Sequence, residues 1–161
     1  MQKANDINIL FVCLGNICRS PLGEGICKHQ VEKRSLSGVI EVDSCGTGAW
    51  HVGEPPHVES QKIAKKNGID ISSQRARKLK AKDSTLFTHF IAMDQSNKSD
   101  MENVLKGDLR IHCLREFDTD GSSLDVPDPY FGGPEGFIEV FDIIDRSVEK
   151  LLDSVCEEYS L

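Results

Sequence analysis

Residues 7–14 (INILFVCL) form a nearly unbroken apolar run rich in β-branched and aromatic side chains. That pattern predicts a strand covered on both faces, as in a parallel sheet. The run stops at Gly15-Asn16, and Ser20-Pro21 then predicts a helix start, with Ser near the N-cap and Pro in the first turn, running to about Lys33. Val39 to Cys45 alternates and reads as a second strand, followed by a Gly- and Pro-rich loop from Gly46 to Pro56. His57 to Asn67 predicts a helix stopped by Gly68. Phe87 to Met93 predicts a third strand, Ser96 to Leu105 a short helix, and Leu109 to Cys113 a fourth strand. Glu116 to Pro134 has no periodicity and is rich in Asp, Gly and Pro, a long loop of the kind that usually carries function. Phe137, Val140, Phe141, Ile144, Val148, Leu151, Leu152 and Val155 step by three and four and predict an amphipathic closing helix. Strands alternating with helices predict an α/β fold with a parallel sheet, and 161 residues suit one domain over residues 1–161. In such sheets ligands bind at the carboxyl ends of the strands, so chemistry is sought where the first strand ends.

Composition narrows the possibilities. With 19 Lys and Arg against 26 Asp and Glu, the chain carries −7, which disfavours general nucleic-acid binding because phosphate is repelled at long range. No apolar run has the length of a membrane span. Asp6 and Asn8 interrupt any signal-peptide core, so no membrane partner is expected and the cytoplasm is the expected location. The cysteines Cys13, Cys18, Cys27, Cys45, Cys113 and Cys156 are scattered and are expected as thiols in a reducing compartment. They form no CxxC pair and no zinc-spaced cluster with His29, His51, His57, His89 or His112; no metal or other cofactor is expected.

The end of the first strand reads Cys13-Leu14-Gly15-Asn16-Ile17-Cys18-Arg19-Ser20. A loop wrapping into a helix N-terminus aims several backbone N–H groups at one point and makes an anion nest. Gly15 permits backbone geometry that a Cβ would resist. Arg19 adds a planar fork for two phosphate oxygens. Cys13, facing that nest, is expected as a thiolate and therefore as a nucleophile aimed at phosphorus. The spacing lacks the GK[ST] ending of a nucleotide P-loop. A buried strand-end Cys and an unrelated Arg would share this spacing, but the apolar strand before and the Ser-Pro helix start after are the setting that the mechanism requires.

Phosphoryl transfer from a phenol also needs a proton donor, since the leaving group has a pKa near 10. Val126-Pro127-Asp128-Pro129-Tyr130-Phe131 offers one. Asp128 stands between two prolines, the second of which biases it towards an extended backbone, so the carboxyl is held on a stiff loop beside two aromatic rings.

CLGNICRS after a first strand, AMDQSN (Ala92 to Asn97) and VPDPYFGG together resemble the low-molecular-weight protein tyrosine phosphatases over nearly the whole chain. The resemblance implies a small α/β phosphatase with a four-stranded parallel sheet flanked by helices and a phosphate-binding loop after the first strand. It implies hydrolysis of phosphotyrosine and small aryl phosphates through a phosphocysteine, without metal or cofactor. In that scheme Cys13 is the nucleophile, Arg19 binds phosphate and steadies the transition state, and Asp128 is the general acid and then the base. Leu14, Gly15, Asn16, Ile17 and Cys18 bind phosphate through their amides. Asn16, Ser20 and Ser44 form the supporting network, with Ser20 donating to the Cys13 sulfur. The resemblance further implies a reversible Cys13–Cys18 disulfide that protects the nucleophile. Gln74 stands where family members often carry a histidine of the network. Phosphotyrosine proteins and inhibitory phosphate-like anions are the implied partners.

Ile17, Trp50, His51, Tyr130 and Phe131 are expected to line a cleft whose depth suits a phenyl ring. A sister branch acting on phosphoarginine typically has threonine where Ile17 stands, and isoleucine cannot hydrogen-bond a guanidinium. An arsenate reductase of similar fold needs relay cysteines after the middle of the chain, and residues 75–105 have none. A redox-regulated phosphate-binding module would not need a complete Cys, Arg and Asp set. The basic run Arg75, Arg77, Lys78, Lys80 and Lys82 is expected to be a solvated face.

Overall fold

In the computed structural model, residues 7–161 are described, and the polar lead-in Met1 to Asp6 lies outside the described residues. The first apolar run becomes β1 (Ile7–Cys13), which takes the centre of the sheet because both its faces are apolar. β2 (Ile40–Gly46), β3 (His89–Ala92) and β4 (Ile111–Cys113) join it in the order β2-β1-β3-β4, all parallel. The architecture is the expected α/β one.

Alternate residues of β1 feed two cores. Ile7, Ile9, Phe11 and Cys13 pack under α1 (Arg19–Lys33), α2 (Val58–Lys66) and α5 (Pro134–Tyr159). Leu10 and Val12 pack with Phe90, Met101 and Leu105 beneath α4 (Gln95–Val104). Close approach of α1 depends on Gly25, where a Cβ would lie 2.4 Å from Ile71 Cγ2.

Several boundaries differ from those predicted, for local reasons. α1 opens at Arg19, with Cys18 at the cap and no side-chain capping bond, so Ser20 is not the cap. Its hydroxyl is engaged inside the protein instead. α5 begins at Pro134, where the ring fixes φ and no amide is lost. α3 (Asp83–Leu86) and a 3-10 turn (Leu114–Glu116) are too short to leave a periodic trace. Nor is the basic run simply solvated: Arg77 is half-buried, with ion pairs to Asp43 at 3.2 Å and Asp83 at 3.1 Å.

The long loop after the 3-10 turn is pinned near its start. The Asp118 carboxylate is fully enclosed and accepts from Arg115 Nε at 3.0 Å and Arg146 Nε at 2.7 Å. Arg115 also donates to the Asp125 carbonyl at 3.0 Å. Burial raises the Asp118 pKa, but hydrogen bonds from Arg146, the Asp120 amide and Arg115 outweigh it and hold the carboxyl below its ordinary value.

Asp118→Ala removes the acceptor from two arginines, one of them buried, and should cost about 3 kcal/mol in urea unfolding at neutral pH. Because the folded carboxyl sits below its unfolded value, the contribution is complete above about pH 4 and is lost as pH falls through the folded value. The gap between parent and variant should therefore narrow in acid; a gap that stays constant would remove the ionised carboxylate from this role.

Candidate active site

Where β1 ends, the carbonyls of Cys13, Leu14, Ile17 and Cys18 are turned outward. The Thr47 amide donates to the Cys13 carbonyl at 2.9 Å and the Gly48 amide to the Leu14 carbonyl at 2.9 Å. The His57 amide donates to the Ile17 carbonyl at 2.8 Å, and the Ser60 hydroxyl to the Cys18 carbonyl at 3.2 Å. In a planar trans peptide the C=O and the next N–H point in opposite directions. Four carbonyls bonded outward therefore turn the amides of residues 14, 15, 18 and 19 towards the inside of the loop. Asn16 holds a positive φ of 56°, a conformation asparagine tolerates better than most residues, and its amide donates to Cys13 Sγ at 3.3 Å. Gly46 lies against this loop, where a Cβ would meet the Leu14 carbonyl oxygen at 2.8 Å.

Beneath the loop is a buried polar network. Ser20 Oγ lies 3.0 Å from Cys13 Sγ. The Asn16 side-chain amide donates to Ser20 Oγ at 2.8 Å and to Ser44 Oγ at 3.0 Å, while its oxygen accepts from the Arg77 amide at 3.1 Å. Ser44 donates to Glu24 Oε1 at 2.7 Å, and Lys28 to Glu24 Oε2 at 2.7 Å. Gln74 does not reach this network: its Nε2 donates to the Pro21 carbonyl at 3.1 Å, and its buried Oε1 has no hydrogen-bond partner among the described residues.

Arg19 is buried and donates to Asp94 Oδ2 at 2.7 Å and to the Val126 carbonyl at 2.9 Å; Asp128 Oδ2 is 3.7 Å away. Burial alone lowers the guanidinium pKa, but the charges of Cys13, Asp94 and Asp128 outweigh it and hold the pKa above its ordinary value. Asp94 does two jobs, since its Oδ1 caps α4 by accepting from the Asn97 amide at 2.7 Å. Asp128 stands at the rim, partly exposed, and accepts from the Tyr130 amide at 3.1 Å. Burial, ahead of the charges of Cys13 and Asp128, pushes the Cys18 thiol up to about 12, and burial raises Cys27, Cys45 and Cys113 as well.

These groups open on a cavity of about 170 Å³. Cys13, Cys18 and Arg19 reach it from the loop, and Ile17, Trp50, His51, Tyr130 and Phe131 form its walls. Tyr130 is buttressed by the His51 and His57 rings at 6.1 and 5.9 Å, and His57 stacks on Phe137 at 4.9 Å. The structure thus brings together every predicted site residue: Asn16, Ser20 and Ser44 lie below the cavity and the others line it. Unforeseen were Asp94, Glu24, Lys28 and the Val126 carbonyl. Local signals were present for Asp94, an acidic residue at a strand end just before a helix, and for Glu24 and Lys28, an acid and a lysine four residues apart on the predicted helix. A thiol at the base, inward amides, a guanidinium and a rim carboxylate under apolar walls suit a tetrahedral oxyanion on a flat apolar stem.

A family model described as low molecular weight phosphotyrosine protein phosphatase matches residues 8–161. The low molecular weight protein-tyrosine-phosphatase YfkJ of Bacillus subtilis is 40% identical over 157 residues, covering 96% of this chain and 99% of the relative. The low molecular weight phosphotyrosine protein phosphatase of Schizosaccharomyces pombe is 44% identical over 135 residues, 82% of this chain and 86% of that one. Among solved structures, a protein tyrosine phosphatase from Entamoeba histolytica superposes with a TM-score of 0.90 at 32% identity, covering 97% of this chain and 100% of that one.

Proposed function

The chain belongs to the low molecular weight phosphotyrosine protein phosphatase family, and from that premise we propose that Cys13, Arg19 and Asp128 hydrolyse phosphotyrosine and small aryl phosphates through a phosphocysteine. The observation that carries the assignment is the convergence of those three side chains on one apolar-walled cavity.

The phosphate sits on the amides of the loop from residue 14 to 19, of which those of 14, 15, 18 and 19 are turned inward, with the Arg19 fork on two of its oxygens. Cys13 attacks phosphorus as the thiolate, helped by hydrogen bonds from the Asn16 amide and the Ser20 hydroxyl. As the sulfur–phosphorus bond forms, the phosphorus–oxygen bond to the aryl group breaks and Asp128 gives its proton to the departing phenolate. The same carboxylate then takes a proton from water, which attacks the phosphocysteine. The Cys13 thiolate leaves, again received by Ser20, and inorganic phosphate is released. Inward amides and a buried, prepositioned Arg19 concentrate donors where charge develops in the transition state.

Ile17, Trp50, His51, Tyr130 and Phe131 select the phenyl ring, and their depth disfavours the shorter phosphoserine. Ile17, an apolar wall beside Arg19, offers no acceptor to a phosphoarginine guanidinium. Phosphate-like anions inhibit by filling the nest. The residues fold as one phosphatase domain, working in the cytoplasm; among the described residues no helix is long and apolar enough to cross a membrane. Cys18 is the redox partner. Peroxide oxidises the Cys13 thiolate to the sulfenic acid, and Cys18 then displaces hydroxide from that sulfur to close the disulfide, its proton going to water. With its pKa pushed up to about 12, Cys18 stays a thiol at neutral pH and does not compete for phosphorus.

Phosphotyrosine should turn over at least about a hundredfold faster, by kcat/KM, than phosphoserine or phosphoarginine, and Cys13→Ser should abolish turnover. Faster phosphoarginine turnover would overturn the substrate assignment. Asp128→Asn should slow phenyl phosphate by about 10²-fold or more, and a substrate with a strongly acidic phenol far less. Equal slowing of both would dismiss Asp128 as the acid. After peroxide, thiol reductant should restore the parent, whereas Cys18→Ser should stay inactive; equal recovery would reject Cys18 as the protecting thiol.

A further inference from the structure

Outside the cavity, the strongest cluster of charged and polar groups is the one that starts at the surface of α1 and ends on the Cys13 sulfur. Its hydrogen bonds have a forced direction. A carboxylate only accepts, so Lys28 Nζ and Ser44 Oγ both donate to Glu24, each at 2.7 Å. With its proton committed to Glu24, Ser44 Oγ is left as an acceptor, and the Asn16 amide donates to it at 3.0 Å. The second hydrogen of that amide goes to Ser20 Oγ at 2.8 Å. The Asn16 oxygen is held by the Arg77 amide, so the group does not flip. Ser20 therefore receives a bond, and its own proton is free to face Cys13 Sγ at 3.0 Å, with the Cys45 carbonyl as the alternative at 3.3 Å.

We propose that Lys28, by compensating the buried Glu24 carboxylate that sets the direction of this hydrogen-bonded chain, is a positioning residue for the Cys13 nucleophile. The proposal rests on the reading of Cys13 as the nucleophile. The pair is asymmetric: the Glu24 side chain is 7% exposed and that of Lys28 is 56% exposed. Among the described residues Lys28 is the cation paired with Glu24; Gln74 is a neutral amide whose Nε2 donates to the Pro21 carbonyl. Lys28 also lines an open groove with Val31 and Glu32, so the outer end of the chain is in reach of solvent while the inner end is sealed. Removing the ammonium leaves a nearly buried carboxylate with Ser44 alone. The negative charge two bonds beyond Asn16 is then uncompensated, which disfavours the thiolate at the far end and loosens the Ser20 bond that receives it as a leaving group.

The test compares Lys28→Gln and Lys28→Arg with the parent. Five quantities are read: kcat and KM on p-nitrophenyl phosphate, the rate of Cys13 alkylation by iodoacetamide at fixed pH, inhibition by orthophosphate, and the melting temperature. Lys28→Gln should lower kcat roughly fivefold and slow alkylation by a similar factor. KM and orthophosphate inhibition should stay within about twofold of the parent, because the amide nest is untouched. Lys28→Arg should restore both rates. Parental kcat and alkylation in Lys28→Gln would overturn the proposal, as would Lys28→Arg being as slow as Lys28→Gln. A fall in melting temperature without slower alkylation would do the same, since it marks a purely structural pair. Failure of the underlying reading looks different: the parent would keep its turnover after complete alkylation of Cys13.

Discussion

Everything at the site depends on where four loop carbonyls point. Between β1 and α1 the chain crosses five residues, and the buried amides among them would ordinarily seek acceptors within the protein. They face a cavity instead because the carbonyls of Cys13, Leu14, Ile17 and Cys18 are each bonded to a donor outside the loop. Those donors come from different segments: Thr47 and Gly48 follow β2, and His57 and Ser60 open α2. The loop is therefore shaped from outside, and a bound oxyanion meets amides whose orientation is already fixed. Fixing them in advance keeps the reorganisation that free donors would undergo out of the catalytic step.

The same economy of parts recurs in the side chains. Asp94 closes the first turn of α4 with one oxygen and holds Arg19 with the other. His57 caps α2 by accepting from the Glu59 amide, donates its backbone N–H to the Ile17 carbonyl, and carries the ring on which Tyr130 rests. Val126 bonds through its amide to Met93 and through its carbonyl to Arg19, so the segment leading to Asp128 is sewn to the end of β3. Disturbing a secondary-structure terminus here disturbs a reactive group, which is why the site has so little independent freedom.

The contrast between what the amino-acid pattern revealed and what it hid follows from range. Cys13 and Arg19 are six residues apart on one loop, and Asp128 is marked by its flanking prolines, so local chemistry exposed them. The strands and long helices were legible from periodicity, with ends shifted by a few residues, while α3 left no trace at four residues. Asp94 and Glu24 were not assigned roles because the groups they hold at the site, Arg19 and Ser44, lie 75 and 20 residues away in the chain. Ser20 illustrates a local rule overridden: Ser before Pro suggests a cap, but the loop supplies its own backbone geometry and the hydroxyl is used for sulfur. Arg77 looked solvated because Asp43, one of its two acids, is 34 residues upstream.

An overall charge of −7 is at odds with binding a phosphate dianion only if charge is averaged over the molecule. At physiological ionic strength interactions between exposed charges fade over about 8 Å, so most of the 26 acidic residues are screened from the cavity. Within that distance the balance is set by a few groups. Asp94 meets Arg19 as a fixed partner, and among the described residues Asp128 is the one carboxylate lining the cavity itself. Donors that carry no net charge, the inward amides, then supply much of the attraction. The nest is thus built mostly of peptide dipoles beside one cation held by Asp94, an arrangement that suits the proposed reaction, in which an anion must bind next to the Cys13 sulfur.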